Sequence, residues 1–318
     1  MIATGSPVVP TKAIAGLASV IVVTANSGQL TRKCIDRVLA STDPFEIIIV
    51  DNASTDGIIE SLQRAHADDP RVRIERNSVN LGFGAACNRG ARLASGDALL
   101  FLNPDCLPDS DTLFRLRSVA ADHPRAGLLG VTVEDAQGQV DRASCRREPT
   151  LWRAICSMTG LSRFEARFSS LAGVDMQVGA HEQDACRVDA VSGACMFVDR
   201  RVFAAISGFD EGYFLHCEDL DLCRRVRDAG HEVLFVASIR LRHEQGSSSH
   251  RRSIFVARHK HRGMWRYFRK FDPAARNPLL RGIVWCGIWG HFMLMLPVYA
   301  LRQQRSRGRR AVVVNRER

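Results

Sequence analysis

Residues 45–54 read FEIIIVDNAS, an almost unbroken apolar and β-branched run that ends abruptly in a polar cluster. A strand buried on both faces has this composition, because a parallel sheet covered by helices exposes neither face to water. The same change occurs at residues 18–26, ASVIVVTAN, and at residues 97–105, DALLFLNPD. We therefore expect a sheet whose strands are apolar and whose carboxyl ends carry polar side chains.

Segments with apolar residues at helical spacing separate these strands. They include residues 30–40, 55–67, 82–94 and 110–121. Alternating strand and helix patterns are typical of an α/β fold with a mostly parallel sheet and helices on both faces. The sequence thus predicts such a fold for the first half of the chain.

The composition of the 318 residues, 46% hydrophobic and 25% charged, is that of a globular protein. The formal net charge is +10, and much of the excess follows Arg240. A basic tail is compatible with nucleic acid, anionic lipid or an acidic substrate. Ten cysteines form no C-x-x-C pair, the closest two being Cys217 and Cys223. Scattered cysteines favour reduced thiols over a zinc site or a disulfide framework.

Polar residues follow four strands in succession, where ligands bind in open parallel sheets. Turn chemistry explains any one of these clusters, but four clusters on one edge favour a polar ligand. No G-x-G-x-x-G follows the first strand and the chain has no P-loop motif, so neither a dinucleotide fold nor a P-loop is expected. The candidate residues are Thr24, Asn26, Asp51, Ser54, Asn80, Gly84, Asn88, Asn103 and Asp105.

Three carboxylates crowd into residues 214–225, FLHCEDLDLCRR. A helix that begins near Glu218 and ends at Gly230 would place Asp221 and Arg225 as an i, i+4 ion pair, a structural role. Glu218 and Asp219 remain in the first turn, where the helix terminus favours ionised carboxylates. These two residues are therefore candidates for accepting a proton.

The ordered set of segments closely resembles the family 2 glycosyltransferases, in particular their rhamnosyltransferase-like bacterial branch. The resemblance runs from about Ser19 to Ser249 and is carried by VIVVTAN, EIIIVDNASTDG, NLGFGAACNRG, LLFLNPDCLPD, VSGACMFVDRRVF, GFDEGYFLHCEDLDLCRRVRDAG and RHEQGSSS. It implies a GT-A fold (Rossmann-like, with a mostly parallel sheet), a nucleotide-sugar donor, a divalent cation (Mg²⁺ or Mn²⁺) and an inverting reaction.

The resemblance also implies roles for individual residues. Asp219 would be the catalytic base with Glu218 beside it, and Asp105 and His243 would hold the metal. Thr24, Asn26, Asp51, Ser54, Asn80, Gly84, Asn88 and Asn103 would border the donor. Asn103 replaces the first carboxylate of the D-x-D element, and Ala25 and Ala190 stand where the family usually has aromatic residues.

The implied activity is transfer of a sugar to a saccharide or lipid-linked saccharide in cell-surface polysaccharide synthesis. The expected donor is dTDP-rhamnose, with UDP-sugars as the competing donors, and no nucleic-acid partner is expected. One alternative is a sugar-1-phosphate nucleotidyltransferase, which would need a glycine-rich signature with a lysine directly after the first strand. The other alternative is a non-enzymatic protein that binds anionic lipid or nucleic acid through the basic tail.

The C-terminal region differs in composition from the rest of the chain. We expect a flexible lead-in at residues 1–17, a catalytic domain at 18–250 and a basic, aromatic and apolar helical region at 251–318. Residues 283–301 hold no Asp, Glu, Lys or Arg, and a membrane span needs roughly 20 apolar residues. Strongly basic flanks on both sides favour an interfacial helix over a span.

A third interpretation of residues 283–301 is a buried helix that closes the catalytic domain. We expect the protein at the cytoplasmic side of the inner membrane, bound peripherally or by one C-terminal helix. The polar loop at residues 245–253 is expected to close over the bound donor.

Overall fold

A computed structural model of the chain describes residues 13–176, 185–244 and 253–314, the last ten of these by their backbone alone. The predicted donor-covering loop, apart from Ser253, and the boundary after residue 250 lie outside the described residues. Residues 1–12 of the predicted lead-in also lie outside them.

The first half of the chain alternates strands and helices as its sequence pattern predicts. The elements are β1 (Ile14–Thr24), α1 (Gln29–Leu39), β2 (Phe45–Asp51), α2 (Ile58–Ala65), β3 (Val72–Arg76), α3 (Phe83–Leu93), β4 (Gly96–Leu102), β5 (Cys106–Leu107), α4 (Thr112–Asp122) and β6 (Ala126–Glu134). β1 begins at Ile14 rather than residue 18, because its start pairs with Gly96 of β4 before a register shift. Residues 14–17 are therefore strand and not lead-in.

The second half adds shorter elements and ends in two long helices. They are β7 (Cys145–Arg146), α5 (Leu151–Thr159), β8 (Ala185–Arg187), β9 (Ala190–Val191), β10 (Cys195–Asp199), α6 (Arg200–Ala205), α7 (Glu218–Asp228), β11 (Glu232–His243), α8 (Ser253–Phe271) and α9 (Pro278–Val314).

The main sheet has the strand order β3-β2-β1-β4-β10-β6-β11-β5, with β8 paired to β11. Neighbours from β3 to β4 are parallel, as are β6 and β11. β10 runs antiparallel between β4 and β6, and β5 is antiparallel to β11. The sheet is therefore mostly parallel, as expected, with an inserted antiparallel strand that alternation alone does not reveal.

Alternate residues of the strands enter two hydrophobic clusters, one on each face of the sheet. Ile21 packs with residues of α3, α6 and α7, and Val20 packs with residues of α1, α2 and α4. A Cβ atom at Gly90 of α3 would lie 2.6 Å from a methyl group of Ile21. Glycine at this position therefore allows α3 to approach the sheet closely.

α8 packs against the catalytic domain although it follows the predicted boundary. Lys270 lies 2.6 Å from the buried carboxylate of Asp221, and Tyr267 belongs to a hydrophobic cluster of the sheet. α9 is different, because residues 278–304 form a helix that is long and apolar enough to cross a membrane and is mostly exposed. Leu294, for example, is 77% exposed. The buried-helix reading of this segment is therefore wrong.

Candidate active site

The strand directions bring the predicted polar residues to one edge of the sheet. β1, β2, β3 and β4 end there, and β11 ends there because it is parallel to β6. β10 is antiparallel to β4, so it begins at the same edge. This edge is the location at which open α/β sheets bind ligands.

The first group on this edge links the ends of β1 and β2. The backbone N–H of Asn26 donates to Oγ of Ser54 at 3.0 Å, and Oδ1 of Asn26 accepts from the backbone N–H of Thr55 at 2.8 Å. Oδ1 of Asp51 accepts from the backbone N–H of Ser54 at 2.9 Å. The other carboxylate oxygen, Oδ2, lies 3.7 Å from Nε of Arg76. These bonds hold the three residues together, with Asp51 buried, Ser54 half-buried and Asn26 exposed.

Three of the predicted donor residues have supporting contacts instead. Thr24 is fully buried, with its hydroxyl 3.0 Å from that of Thr31 in α1. Asn88 is buried and bonds the backbone of Phe209 through both amide atoms, at 2.8 and 2.9 Å. Gly84 is buried against the ring of Phe209. These three residues therefore support the edge of the sheet from the protein interior, because all three are buried.

The loop at residues 77–82 is held by Asn52, one of the polar residues that follow the second strand. Oδ1 of Asn52 accepts from Asn77 at 2.8 Å and from the backbone of Leu81 at 3.2 Å. Its Nδ2 donates to the carbonyl of Gly82 at 3.1 Å. Oδ1 of Asn80 accepts from the backbone N–H of Gly82, at 2.9 Å. The predicted donor residue Asn80 thus lies in a loop with a defined shape.

The predicted metal ligands meet although 138 residues separate them in the chain. Nε2 of His243 at the end of β11 lies 2.9 Å from Oδ1 of Asp105, and the backbone N–H of Glu244 donates to the carbonyl of Asp105. Together with Cys106 they form a cluster whose ligand atoms lie within 4.8 Å of one another. A strand pair between β11 and β5 produces this meeting.

The donor set fits a divalent cation through two of these three residues. Cys106 is fully buried, and burial, followed by the charge of Asp105, raises the pKa of its thiol well above the ordinary value. Mg²⁺ and Mn²⁺ favour oxygen ligands over sulfur, so this buried thiol is the least suited of the three groups to bind them. A carboxylate and an imidazole remain, a set suited to Mn²⁺ or Mg²⁺ when phosphate and water oxygens complete the coordination.

The predicted base, Asp219, is held by three donors. Its Oδ2 accepts from Nη2 of Arg146 and, at 3.2 Å, from the backbone N–H of Gly193, and its Oδ1 accepts from the backbone N–H of Leu220. Burial alone would raise the pKa of Asp219, but the guanidinium of Arg146 and these hydrogen bonds outweigh burial and lower it. Asp219 is therefore ionised at neutral pH, as proton acceptance requires.

Glu218 differs from the expectation that the helix terminus ionises both carboxylates. The residue is buried, and its Oε2 has no hydrogen-bond partner among the described residues. Burial, followed by the adjacent charge of Asp219, raises the pKa of Glu218 to about 8. Glu218 is therefore mostly protonated at neutral pH, so the two neighbouring carboxyls differ in charge.

Arg146 is a functional residue that sequence reasoning missed. It lies in the two-residue strand β7, within the region whose pattern is weakest, 73 residues before Asp219. Its guanidinium also donates to the carbonyl of Val191, at 3.1 Å. Only the pairing of β7 with β9 brings it beside α7. No local signal in the sequence identifies it.

A short path links Asp219 to the predicted metal ligands. Asp219 bonds Gly193, and the carbonyl of the next residue, Ala194, accepts from the backbone N–H of Asn103 at 2.9 Å. Asn103 is two residues before Asp105, so hydrogen bonds and backbone join the start of α7 to the end of β4.

Asp221 has the structural role that its spacing predicts. It is fully buried, and its carboxylate bonds Arg225 at 2.5 Å and Lys270 at 2.6 Å. Of the three carboxylates in residues 214–225, Asp221 is therefore paired with two cations in the protein interior, and Asp219 bonds Gly193.

Comparison with known proteins gives consistent similarities. The model of the family described as Glycosyl transferase family 2 matches residues 19–175. The chain is 32% identical over 275 residues to N-acetylglucosaminyl-diphospho-decaprenol L-rhamnosyltransferase of Mycobacterium tuberculosis, covering 78% of this chain and 86% of the relative. It is 28% identical over 228 residues to rhamnosyltransferase WbbL of Escherichia coli, covering 62% and 82%.

A solved structure is similar over nearly the whole chain. The mannosyltransferase PcManGT from Pyrobaculum calidifontis, in complex with GDP-Man and Mn²⁺, superposes with a TM-score of 0.56 at 18% identity. The match covers 93% of this chain and 75% of that chain. At this identity the similarity concerns the fold.

Proposed function

The chain belongs to the family 2 glycosyltransferases, in their rhamnosyltransferase-like branch, and has the GT-A fold; from this premise we propose that it transfers rhamnose from dTDP-rhamnose, with inversion, to a lipid-linked saccharide. The observation that carries the proposal is the bonded path from Asp219 through Gly193, Ala194 and Asn103 toward Asp105. This path supports the proposal because it links an ionised carboxylate to the two predicted metal ligands.

The proton acceptor in the proposed reaction is Asp219. Inverting transfer needs an acceptor hydroxyl to attack the anomeric carbon from the face opposite the departing diphosphate, while a carboxylate takes its proton. Arg146 keeps Asp219 ionised and fixes its orientation through Oδ2, so that Oδ1 lies toward the first turn of α7. Glu218, mostly protonated at neutral pH, is not the base in this proposal.

The residues that would hold the divalent cation are Asp105 and His243. When bound, the cation neutralises negative charge that develops on the leaving diphosphate. Asn26, Asp51, Ser54 and Asn80 border the nucleoside part of the donor in this proposal. Asn103 sets the position of the metal site through its backbone rather than through its amide.

The acceptor is proposed from chemistry and from similarity. The name of the relative from M. tuberculosis specifies a diphospho-decaprenol acceptor, and this chain carries the exposed apolar helix α9 next to its catalytic domain. A carrier lipid and an enzyme with such a helix would meet at a membrane surface. We place the protein at the cytoplasmic side of the inner membrane, in the synthesis of a cell-surface polysaccharide.

The test is a panel of nucleotide sugars assayed with Mg²⁺ or Mn²⁺, with and without a lipid-linked saccharide acceptor. We expect release of dTDP from dTDP-rhamnose that depends on cation and acceptor, and an anomeric configuration in the product opposite to that in the donor by NMR. Turnover of a UDP- or GDP-sugar in preference to dTDP-rhamnose would refute the donor assignment. A retained anomeric configuration would refute the role of Asp219 as base.

A further inference from the structure

A cleft of about 750 Å³ lies between the turn at residues 210–214 and the two C-terminal helices. The turn, α8 and α9 each supply part of its wall, and none of the predicted site residues lines it. Its side chains are basic and aromatic: Arg262, Arg266, Arg269 and Lys270 from α8, with Trp265, Trp285 and Trp289. The cleft is therefore separate from the donor edge of the sheet.

Two of the four cations in the cleft have carboxylate partners. Asp210 lies 2.7 Å from Arg266 and 2.7 Å from Lys270, and Lys270 also lies 2.6 Å from Asp221. No carboxylate among the described residues pairs with Arg262 or Arg269, which are exposed. Residues 262, 266 and 269 are on one face of α8, because they are four and three positions apart. The cleft thus carries excess positive charge on a helix face, and guanidinium groups bind phosphate through paired hydrogen bonds.

The other wall of the cleft continues into an apolar surface. Trp285 and Trp289 are one turn apart on α9, and Trp285 is 49% exposed. Met293, four residues beyond Trp289 on the same side of α9, is also exposed. Indole rings favour the boundary between water and hydrocarbon. The cleft therefore has a cationic end at α8 and opens along α9 onto lipid-compatible side chains.

The turn that lines the cleft continues along the chain to the carboxylates at the start of α7. The turn at residues 210–214 is followed within four residues by Glu218, the first residue of α7. The carbonyl of Phe214 accepts from the backbone N–H of Phe83 at 2.9 Å, and a Cβ atom at Gly263 of α8 would lie 2.7 Å from the carbonyl of His216. α8 thus packs tightly against the chain that positions the base.

We propose that this cleft binds the diphosphate of the lipid-linked acceptor, with Arg262 and Arg269 as its ligands and the lipid chain on the face of α9 that begins at Trp285 and Trp289. This inference rests on the proposed function, because it names the site for the acceptor of that reaction. It accounts for arginines that have no carboxylate partner among the described residues, and for the indoles and the exposed apolar helix next to them. A headgroup of the surrounding bilayer would not need a cleft.

The first test is vesicle binding, which needs no enzymatic activity. The probes are phosphatidylcholine vesicles that carry either a prenyl diphosphate or phosphatidylglycerol at equal charge, and binding is measured by co-sedimentation. We expect the wild-type protein to prefer the prenyl diphosphate, and the Arg262→Ala/Arg269→Ala variant to lose about tenfold or more of that affinity, as for lost charge-assisted hydrogen bonds.

The matched control is Arg258→Ala/Arg276→Ala, which removes the same charge from exposed positions that do not line the cleft. We expect the control to keep the preference for prenyl diphosphate. Equal binding to both vesicle types by the wild-type protein, or equal losses in both variants, would overturn the proposal in favour of general attraction to anionic lipid.

The second test separates this proposal from the function on which it rests. KM is measured for a saccharide on a diphosphate lipid and for the same saccharide as a simple alkyl glycoside. We expect the cleft variant to raise KM about tenfold for the diphosphate acceptor only, with the donor KM unchanged. Equal KM changes for both acceptors would overturn the cleft assignment. If the wild-type enzyme is inactive toward every donor, the proposed function is refuted. The vesicle experiment then decides by itself whether the cleft binds a prenyl diphosphate.

Discussion

Arg146 donates a hydrogen bond to Oδ2 of Asp219, joining the two-residue strand β7 to the first turn of α7. Both side chains are largely shielded from water, at 16% and 14% exposure. In this environment an opposite charge lowers the pKa of a carboxylate strongly. The pair therefore decides which of two adjacent carboxyls is ionised at neutral pH.

Replacing Asp219 by Asn should remove the proton acceptor while keeping the shape of the side chain. We expect kcat to fall about 10²- to 10⁴-fold, the usual contribution of a general base, with the donor KM nearly unchanged. Steady-state kinetics with donor and acceptor varied separately measures both constants. If transfer survives in Asp219→Asn, the base is elsewhere, and Glu218 is the next residue to test.

Replacing Arg146 by Gln should raise the pKa of Asp219, because burial then acts without the compensating charge. The carboxylate must be ionised to accept a proton, so the acidic limb of the pH profile of kcat/KM should move to higher pH. Arg147→Gln is the matched control, since Arg147 bonds Glu165 and the carbonyl of Asp175 instead. An unshifted acidic limb in Arg146→Gln would show that Asp219 is not the titrating base.

Glu218→Gln should change how stability depends on pH. The folded-state pKa of Glu218 is about 8 against an ordinary 4.5, so the folded state binds more protons than the unfolded state between these values. Protonated Glu218 makes its full contribution to the free energy of unfolding below pH 4.5. This contribution is lost as the pH rises through about 8. The Gln variant lacks this loss, so its Tm should exceed that of the wild type progressively toward pH 8.

Titration of Asp219 does not affect the comparison of Tm values, because the pKa of Asp219 is lowered from 3.8. The stability that ionised Asp219 contributes is therefore lost only at a pH below this window. Differential scanning calorimetry of both proteins across the window measures the effect. A constant Tm difference between Glu218→Gln and the wild type would contradict the raised pKa of Glu218.

Asp105→Ala and His243→Ala should each weaken cation binding. We expect the Mn²⁺ concentration for half-maximal activity to rise about tenfold or more in each variant, and Mn²⁺ binding followed by EPR in the presence of dTDP should weaken in parallel. Cys106→Ala is the control, because Mn²⁺ favours oxygen ligands over sulfur. A Cys106 variant that lost Mn²⁺ binding while remaining folded would change the ligand set.

Lys270→Met should loosen the contact between α8 and the catalytic domain. Lys270 lies 2.6 Å from Asp221 and 2.7 Å from Asp210, and Asp221 is fully buried. Removing one of its two cations should lower the free energy of unfolding by about 1–3 kcal/mol. Urea denaturation measures this, with Lys260→Met on the same helix as an exposed control. Equal stability of the two variants would show that the Lys270 pairs contribute nothing.

The sequence by itself determined the strand and helix order, the polar clusters after the strands and the structural pairing of Asp221 with Arg225. These are local properties: apolar periodicity, the change to polar residues at strand ends, and an i, i+4 spacing are all written within a few residues. The resemblance of the ordered motifs to a family added the expected roles of Asp105, His243 and Asp219, because the motifs keep their order along the chain.

Only the tertiary structure decided which polar residues reach the site and how the carboxyls are charged. Thr24 and Asn88 resemble ligand residues in sequence, but the packing of α1 and of the turn after α6 buries them. The charge states of Glu218 and Asp219 depend on Arg146, which is distant in sequence and reaches α7 through β7. Electrostatic energies depend on distance and burial in space, and neither is a property of a local sequence pattern.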